Sequence, residues 1–294
     1  MLTYNISHHD HCRRLESFLR TLMPTSPAGY SRKLIKGGAA KLNGAVVHSD
    51  TMLALNDTVT LKESGASTGY ITNARPELDL LYEDDQIAVI NKPSGLPMHR
   101  TAELEENLVE TGQTYMTGRG TPCKLYPVNR LDRGTSGTVI LAKSSSSAGI
   151  YGRQVKESGL DKLYLALVEG DTDDSGIISE PLDDKESETR FQTVLRGENC
   201  SLLAVTPISG RMHQIRRHLS MTGHPVIADK RYGGGDLPEL SGFALHSFRT
   251  ILIRPEAGPL TICAPIPEEL LGLCKRRGID AEQIMAEIDS LLKL

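Results

Sequence analysis

The residues from Pro127 to Gly137, Pro-Val-Asn-Arg-Leu-Asp-Arg-Gly-Thr-Ser-Gly, set one carboxylate, Asp132, between Arg130 and Arg133 and follow it with hydroxyl residues and glycines. An acid in such a setting can act as a nucleophile or base. The run Thr138 to Lys143 behind it is apolar and β-branched, as a buried strand would be, so Asp132 is expected on a loop that feeds a rigid strand. An ordinary surface turn also reads Asp-Arg-Gly-Thr. A second concentration of chemistry lies at Ser209 to Met221, where three arginines and two histidines share a short stretch. From Met212 onward it suits a helix with Met212, Ile215, Leu219 and Arg216 near one face. An arginine at the edge of an apolar face needs a carboxylate or phosphate partner, because burying it alone is costly. His213 and His218 are five apart and split across a helix, without an H-E-x-x-H frame, so no metal site is expected.

The elements that must position these groups are strand-rich. Strands are expected at Leu78 to Leu81, Ile87 to Ile90, Thr138 to Lys143, Lys162 to Gly170, Thr189 to Leu195, Leu202 to Ile208 and Thr250 to Ile253, with helices at Ala102 to Tyr115, after Lys143 to about Ser158, and at Pro267 to Arg277 and Ala281 to Leu292. The order is not a regular βαβ alternation, which favours a mixed, largely antiparallel sheet with flanking helices, an α+β fold. In the strand from Lys162, Tyr164 shares the less apolar face, where a ring can be presented to a planar ligand or be half-buried packing. The loop Asn91 to His99, forced irregular by two prolines and a glycine directly after a strand, is a place where side chains can be displayed.

Ahead of this, Arg13 to Leu22 has helical spacing, a basic helix is expected from Ser31 as N-cap to Gly37-Gly38, and Asn43-Gly44 between Ala40-Lys41-Leu42 and Ala45-Val46-Val47 is a hairpin signal. A strand from Asp57 to Leu61 closes the unit. Residues 63–76 are small, polar and glycine-punctuated and read as a linker. The expected organisation is a small N-terminal α/β domain at 1–62, the linker, and a larger domain at 77–294.

A chain of 294 residues fits a large domain with a smaller one attached. Its five cysteines form no close pair, which argues against a zinc site or a disulfide framework and for a reduced, cytoplasmic protein. The His8-His9-Asp10-His11 run replaces the apolar core of a signal peptide, and no apolar stretch is long enough for a bilayer, so neither secretion nor membrane insertion is expected. The net charge of -4 does not advertise a nucleic-acid binder, yet from His11 to Lys62 eight lysines and arginines face three acids. Such segregation is what one face meeting phosphate requires, although a solvated helix face would read the same way.

Three motifs carry a resemblance: Asn-Arg-Leu-Asp-Arg-Gly-Thr-Ser-Gly at 129 to 137, Lys-Leu-Tyr-Leu-Ala at 162 to 166 and Gly-Arg-Met-His-Gln-Ile-Arg-Arg-His at 210 to 218. Together with the Lys-Pro-Ser-Gly-Leu loop at 92 to 96 they resemble the RluA-type pseudouridine synthases. The N-terminal unit is similar to the small RNA-binding module first seen in a small-subunit ribosomal protein, the S-four type. The resemblance implies a catalytic domain of pseudouridine-synthase type that isomerises uridine in RNA, ribosomal more than transfer RNA, with no redox step and hence no cofactor and no metal. It assigns the nucleophile or base to Asp132, the base-stacking ring to Tyr164, the arginine partner of the aspartate to Arg216, and the filling of the space left by a flipped nucleotide to Arg130. Asn129, Arg32, Lys33, Lys36 and Lys41 complete the expected RNA contacts. A monomer is expected.

The chain departs from the family pattern at Asn129, where many members have histidine, and at Ser209, where many have threonine. Asparagine cannot titrate, so a role that needs an imidazole there is in doubt. Two other functions compete: an RNA chaperone or assembly factor of the same fold, with its basic module at work and its site idle, and a glycosidase-like hydrolase, which would need two cooperating carboxylates.

Overall fold

The computed structural model describes residues 2–6, 14–23, 26–27, 29–54, 56–62, 78–100, 106–118, 121, 123–157 and 159–292. The His8 to His11 run, Cys12, Arg13, the expected linker at 63–76 and the first residues of the helix expected from Ala102 lie outside them. The chain divides into two compact units, residues 1–78 with 99–125 and residues 79–98 with 126–294. The limits expected from composition put 99–125 with the second unit.

The first unit contains β1 (Leu2–Asn5), α1 (Leu15–Leu22), α2 (Tyr30–Lys36), β2 (Ala40–Leu42), β3 (Ala45–Val46), β4 (Thr58–Leu61) and α3 (Leu108–Gly118). Its four strands pair antiparallel in the order β1-β4-β2-β3. Leu15, Phe18 and Leu19 of α1 share one helical face and are buried with Ile35, Val59 and Leu61. Each such side chain contributes about 1.5–3 kcal/mol by leaving water. Asn43 and Gly44 have φ of 51° and 82°, the two positive values that a type I′ turn demands, so the expected hairpin forms. The helix start differs from expectation. Ser31 is not an N-cap: Gly29, at φ 70°, begins the helix earlier, and Ser31 is buried inside the first turn with its Oγ unpartnered.

The second unit contains β5 (Leu80–Glu83), β6 (Ile87–Lys92), β7 (Tyr126–Pro127), β8 (Ser136–Ala142), α4 (Ser145–Glu157), β9 (Asp161–Glu169), β10 (Ser175–Ile178), β11 (Thr189–Gly197), β12 (Cys200–Pro207), α5 (Gln214–Met221), β13 (Leu245–Arg254), β14 (Gly258–Cys263), α6 (Glu268–Arg276) and α7 (Ala281–Leu292). Its ten-stranded sheet runs β10-β11-β12-β9-β13-β8-β6-β5, with β14 on β13 and β7 on β8. Every pairing is antiparallel except β13 with β8, which gives the mixed, largely antiparallel sheet that the strand pattern favours. All seven residues of β8 are buried, as its β-branched run requires, and Ile140 packs with Ile87, Val89, Tyr151, Leu252 and Ile262.

The parallel junction is short: His246 pairs with Ser136 and Ser247 with Gly137. It aligns a row across the sheet in which Lys92 of β6 opposes Gly137, Gly137 opposes Ser247, and Ser247 opposes Tyr164 of β9. Gly137 has φ 110°, and a Cβ there would stand 2.3 Å from the Ser247 carbonyl oxygen, so only glycine lets the two strands approach. Among the described residues no helix is long and apolar enough to cross a membrane.

Candidate active site

Asp132 lies where β7 has ended and β8 has not begun, in a turn closed by the Thr135 N–H donating to the Asp132 carbonyl at 3.1 Å. Leu131 before it is buried and anchors the loop, while the Asp132 side chain keeps 20% of its surface exposed. The loop is therefore fixed from beneath and open above the carboxylate.

Asn129 fixes the entry to this loop. Its Nδ2 donates to the Thr138 carbonyl at 3.2 Å and its Oδ1 accepts from the Ile140 N–H at 2.7 Å, so both ends of the amide are engaged with β8. Asn129, expected among the RNA contacts, is buried, and its side chain braces two backbone groups of the neighbouring strand. An imidazole could not pair both groups with the same flat donor–acceptor edge. Arg130 beside it is exposed.

Lys92 is a second brace, at the end of β6. It is fully buried, and its Nζ donates to the carbonyls of Pro93 at 2.9 Å, Leu96 at 2.8 Å and Arg133 at 3.0 Å. Three carbonyls match the three donors of an ammonium group. Burial draws its pKa down to about 7, with the Asp132 charge opposing and Arg133 adding to the fall. The Gly95 N–H donates to the Arg133 carbonyl at 2.9 Å and Ser94 Oγ to the Gly134 carbonyl at 2.8 Å, so the loop after β6 is laced to the loop that carries Asp132. Replacing Lys92 by Met keeps the volume and leaves three carbonyls without their donor. The expected result is a loss of about 1–3 kcal/mol of stability in urea unfolding and a loosened site with lower turnover. Unchanged stability and turnover would remove Lys92 from this role.

Opposite Asp132 stands α5, whose apolar face buries Ile215 and Leu219 and with them Arg216. Arg216 Nη1 donates to Asp132 Oδ2 at 2.8 Å. Its Nε and Nη2 donate to Oδ2 and Oδ1 of Asp229 at 2.6 and 2.9 Å, a bidentate pair in which Asp229 is 1% exposed. The guanidinium also lies over the rings of Phe243 at 4.1 Å and Tyr232 at 4.9 Å. One cation thus neutralises a buried carboxylate and reaches from it to the half-open one. The partner required by a buried arginine is present twice. Met212, expected on the same face, is 56% exposed because the helix begins only at Gln214.

Tyr164 sits on β9, 7% exposed, and burial pushes its phenol up to about 12, the Asp132 carboxylate adding to the rise. His218 is fully buried within hydrogen-bond distance of Thr189 Oγ1 (2.9 Å), the Glu180 carbonyl (2.9 Å) and Ser187 Oγ (3.2 Å). His246 is likewise internal: its Nδ1 is 2.9 Å from Ser136 Oγ, and burial draws its pKa down to about 4. In the first unit, Arg32, Lys33 and Lys36 are exposed and Lys41 is half-buried. Arg32 is paired with Glu16 at 3.0 Å.

Three participants escape a reading by sequence: Asp229, Tyr232 and Phe243. The one signal for Asp229 is an acid ending the apolar run Pro225-Val226-Ile227-Ala228, where Ala228 takes φ 68° and turns the chain. Tyr232 and Phe243 sit in irregular loops and carry no periodic signal.

The family described as RNA pseudouridylate synthase matches residues 86–221, which hold Asp132, Tyr164 and Arg216 but not Asp229. Among curated proteins, the ribosomal large subunit pseudouridine synthase C of Vibrio vulnificus (strain CMCP6) is 30% identical over 288 residues, covering 88% of this chain and 90% of that protein. The protein of the same name from Escherichia coli (strain K12) is 30% identical over 292 residues, covering 88% and 91%. Among solved structures, human RNA pseudouridylate synthase domain containing 4 is similar in fold, with a TM-score of 0.57 at 20% identity over 68% of this chain and 93% of that one.

Proposed function

The chain belongs to the RNA pseudouridylate synthase family and is an RNA pseudouridine synthase of RluA type, and from that premise we propose that it converts uridines of large-subunit ribosomal RNA to pseudouridine with Asp132 as the catalytic carboxylate. The observation that supports Asp132 most is its pairing at 2.8 Å with Arg216, 84 positions away, while its other oxygen remains at a half-open surface. In the reaction the N1–C1′ bond breaks, the uracil turns, and C5 joins C1′. The C5 hydrogen is lost and N1 takes one, so composition is unchanged. Asp132 acts on the ribosyl side as nucleophile or base.

A stacked uridine cannot reach this site, and flipping it out costs a few kcal/mol, which stacking on Tyr164 and phosphate contacts offset. In this reading the flipped base rests on Tyr164, whose phenol stays neutral, and Arg130, exposed beside the loop, fills the vacated stack. Tyr164→Ala is expected to lower kcat/KM by roughly 10–100-fold, as stacking is worth about 1–3 kcal/mol, while Tyr164→Phe keeps most of the activity. Steady-state kinetics of the two variants checks this, and a dead Phe variant with normal RNA binding would transfer the role to the hydroxyl.

We assign residues 1–62 to an S-four-type RNA-binding domain and residues 77–294 to catalysis. The exposed Arg32, Lys33 and Lys36, with Lys41, supply phosphate contacts, which makes binding strongly salt-dependent. The hydrolase alternative draws no support from Asp229, the second carboxylate beside Arg216 among the described residues, since both of its oxygens are bonded to that arginine. The test is incubation with unmodified large-subunit ribosomal RNA and, separately, transfer RNA, followed by pseudouridine mapping. Pseudouridine in the ribosomal RNA is expected. Modification of transfer RNA alone would reassign the substrate, and modification of neither would favour an RNA chaperone or assembly factor.

A further inference from the structure

The two oxygens of Asp132 are not equivalent. Oδ2 is held by Arg216 at 2.8 Å, whereas Oδ1 has Nε2 of His213 at 3.8 Å, outside hydrogen-bond range. His213 reaches this position from the left-handed region ahead of α5, at φ 53° and ψ 28°, a conformation uncommon outside glycine in which histidine is among the enriched residues. Its ring is held by Tyr232. The phenolic oxygen lies 2.8 Å from His213 Nδ1, and the two rings meet edge to face at 5.7 Å and 78°. The same Tyr232 ring lies under the Arg216 guanidinium at 4.9 Å. One tyrosine therefore orders the neighbours of both carboxylate oxygens.

We propose that His213, fixed by Tyr232, is a positioning residue that leaves Oδ1 of Asp132 unpaired for the ribosyl substrate while its ring is neutral, and takes that oxygen when the ring is protonated. The inference rests on Asp132 being the catalytic carboxylate. The charged groups facing His213 are Asp132 from the loop before β8, Arg216 from α5, and Asp229 and Arg231 from the segment after α5. Burial lowers the pKa of His213 below its ordinary 6.5, Asp132 and Asp229 oppose the shift, and Arg216 and Arg231 reinforce it. At neutral pH the ring is uncharged and Oδ1 is available. On acidification an imidazolium needs to move only about 1 Å to form a charge-assisted bond with Oδ1, and the rate falls.

The experiment is the single-turnover rate of the full-length enzyme on a large-subunit ribosomal RNA transcript from about pH 5 to 8, for wild type and His213→Asn. Asparagine tolerates the left-handed backbone and is too short to reach Asp132. Wild type should lose rate on the acid side with a midpoint below 6.5. In His213→Asn the midpoint should fall by about 1 unit or more, whatever its rate at neutral pH. A midpoint that does not move overturns the proposal, since a merely structural histidine would change stability and leave the profile in place. A second measurement needs no His213 variant: NMR titration of the histidine ring should show a lower His213 pKa in Asp132→Asn than in wild type, and equal values would also overturn it. Should Asp132→Asn retain turnover, the catalytic assignment itself fails. An inactive Asp132→Asn with an unmoved midpoint in His213→Asn defeats this inference alone.

Discussion

Asp132→Asn is expected to abolish pseudouridine formation, by roughly 10⁴-fold or more, which corresponds to about 5 kcal/mol of barrier. The substitution is isosteric, and its amide oxygen still accepts from Arg216 Nη1, now at 2.8 Å from Oδ2, so the folded site survives. What disappears is the negative charge, and with it the ability to attack carbon or take a proton. RNA affinity should stay near that of wild type, because phosphate contacts dominate binding. The check is pseudouridine mapping on ribosomal RNA together with a filter-binding or anisotropy titration. A variant that binds and still turns over would sink the assignment. One that loses binding as well would move Asp132 from chemistry to recognition.

The second large effect concerns Asp229. Arg216 has a side chain only 7% exposed and gives two of its three bonds in this site to that carboxylate. Asp229→Ala would leave the guanidinium buried with its pairing to the half-open Asp132 alone. Removing one partner of a buried ion pair costs about 3–5 kcal/mol, because the remaining charge is uncompensated. The expected outcome is a fall of that size in unfolding free energy. Turnover should also fall sharply, since Arg216 no longer has a fixed position from which to hold Asp132. Asp229→Asn, which accepts one of the two bonds, should lie between. Chemical denaturation and kinetics of both variants would decide the matter, and wild-type stability in the Ala variant would refute the anchoring role.

The order of these two effects separates what local chemistry shows from what packing adds. Asp132 stands out in the sequence because an acid between arginines, ahead of a β-branched run, is a local pattern. Asp229 carries more of the site's structural charge and does not stand out, because its importance comes from a partner in α5 and from burial. Asn129 makes the same point in reverse: the sequence shows only a polar residue beside the Asp132 loop, and it is the fold that engages both ends of its amide with β8. Lys92 opens a loop that reads as a place to display side chains, and it is itself fully buried and bonded to three carbonyls.

The elements divide in a similar way. Long alternating or β-branched strands, the Asn43-Gly44 hairpin and the two C-terminal helices are legible because hydrophobic period and turn chemistry act over a few residues. The short strands β1, β10 and β14 are not, since four to six residues at a sheet edge owe their conformation to a neighbouring strand.

The sequence by itself therefore determined the loop from Asn129 to Gly137, its strand, and the three motifs that mark Asp132, Tyr164 and Arg216. Tertiary structure alone decided how they meet. Two residue pairs of parallel β13–β8 contact set Tyr164, Ser247, Gly137 and Lys92 in one row, and burial selected Asp229 as the anchor of Arg216. Strand register and the pairing of buried charges depend on groups far apart in the chain. Their energies exist only once water has been excluded, and no local pattern encodes them.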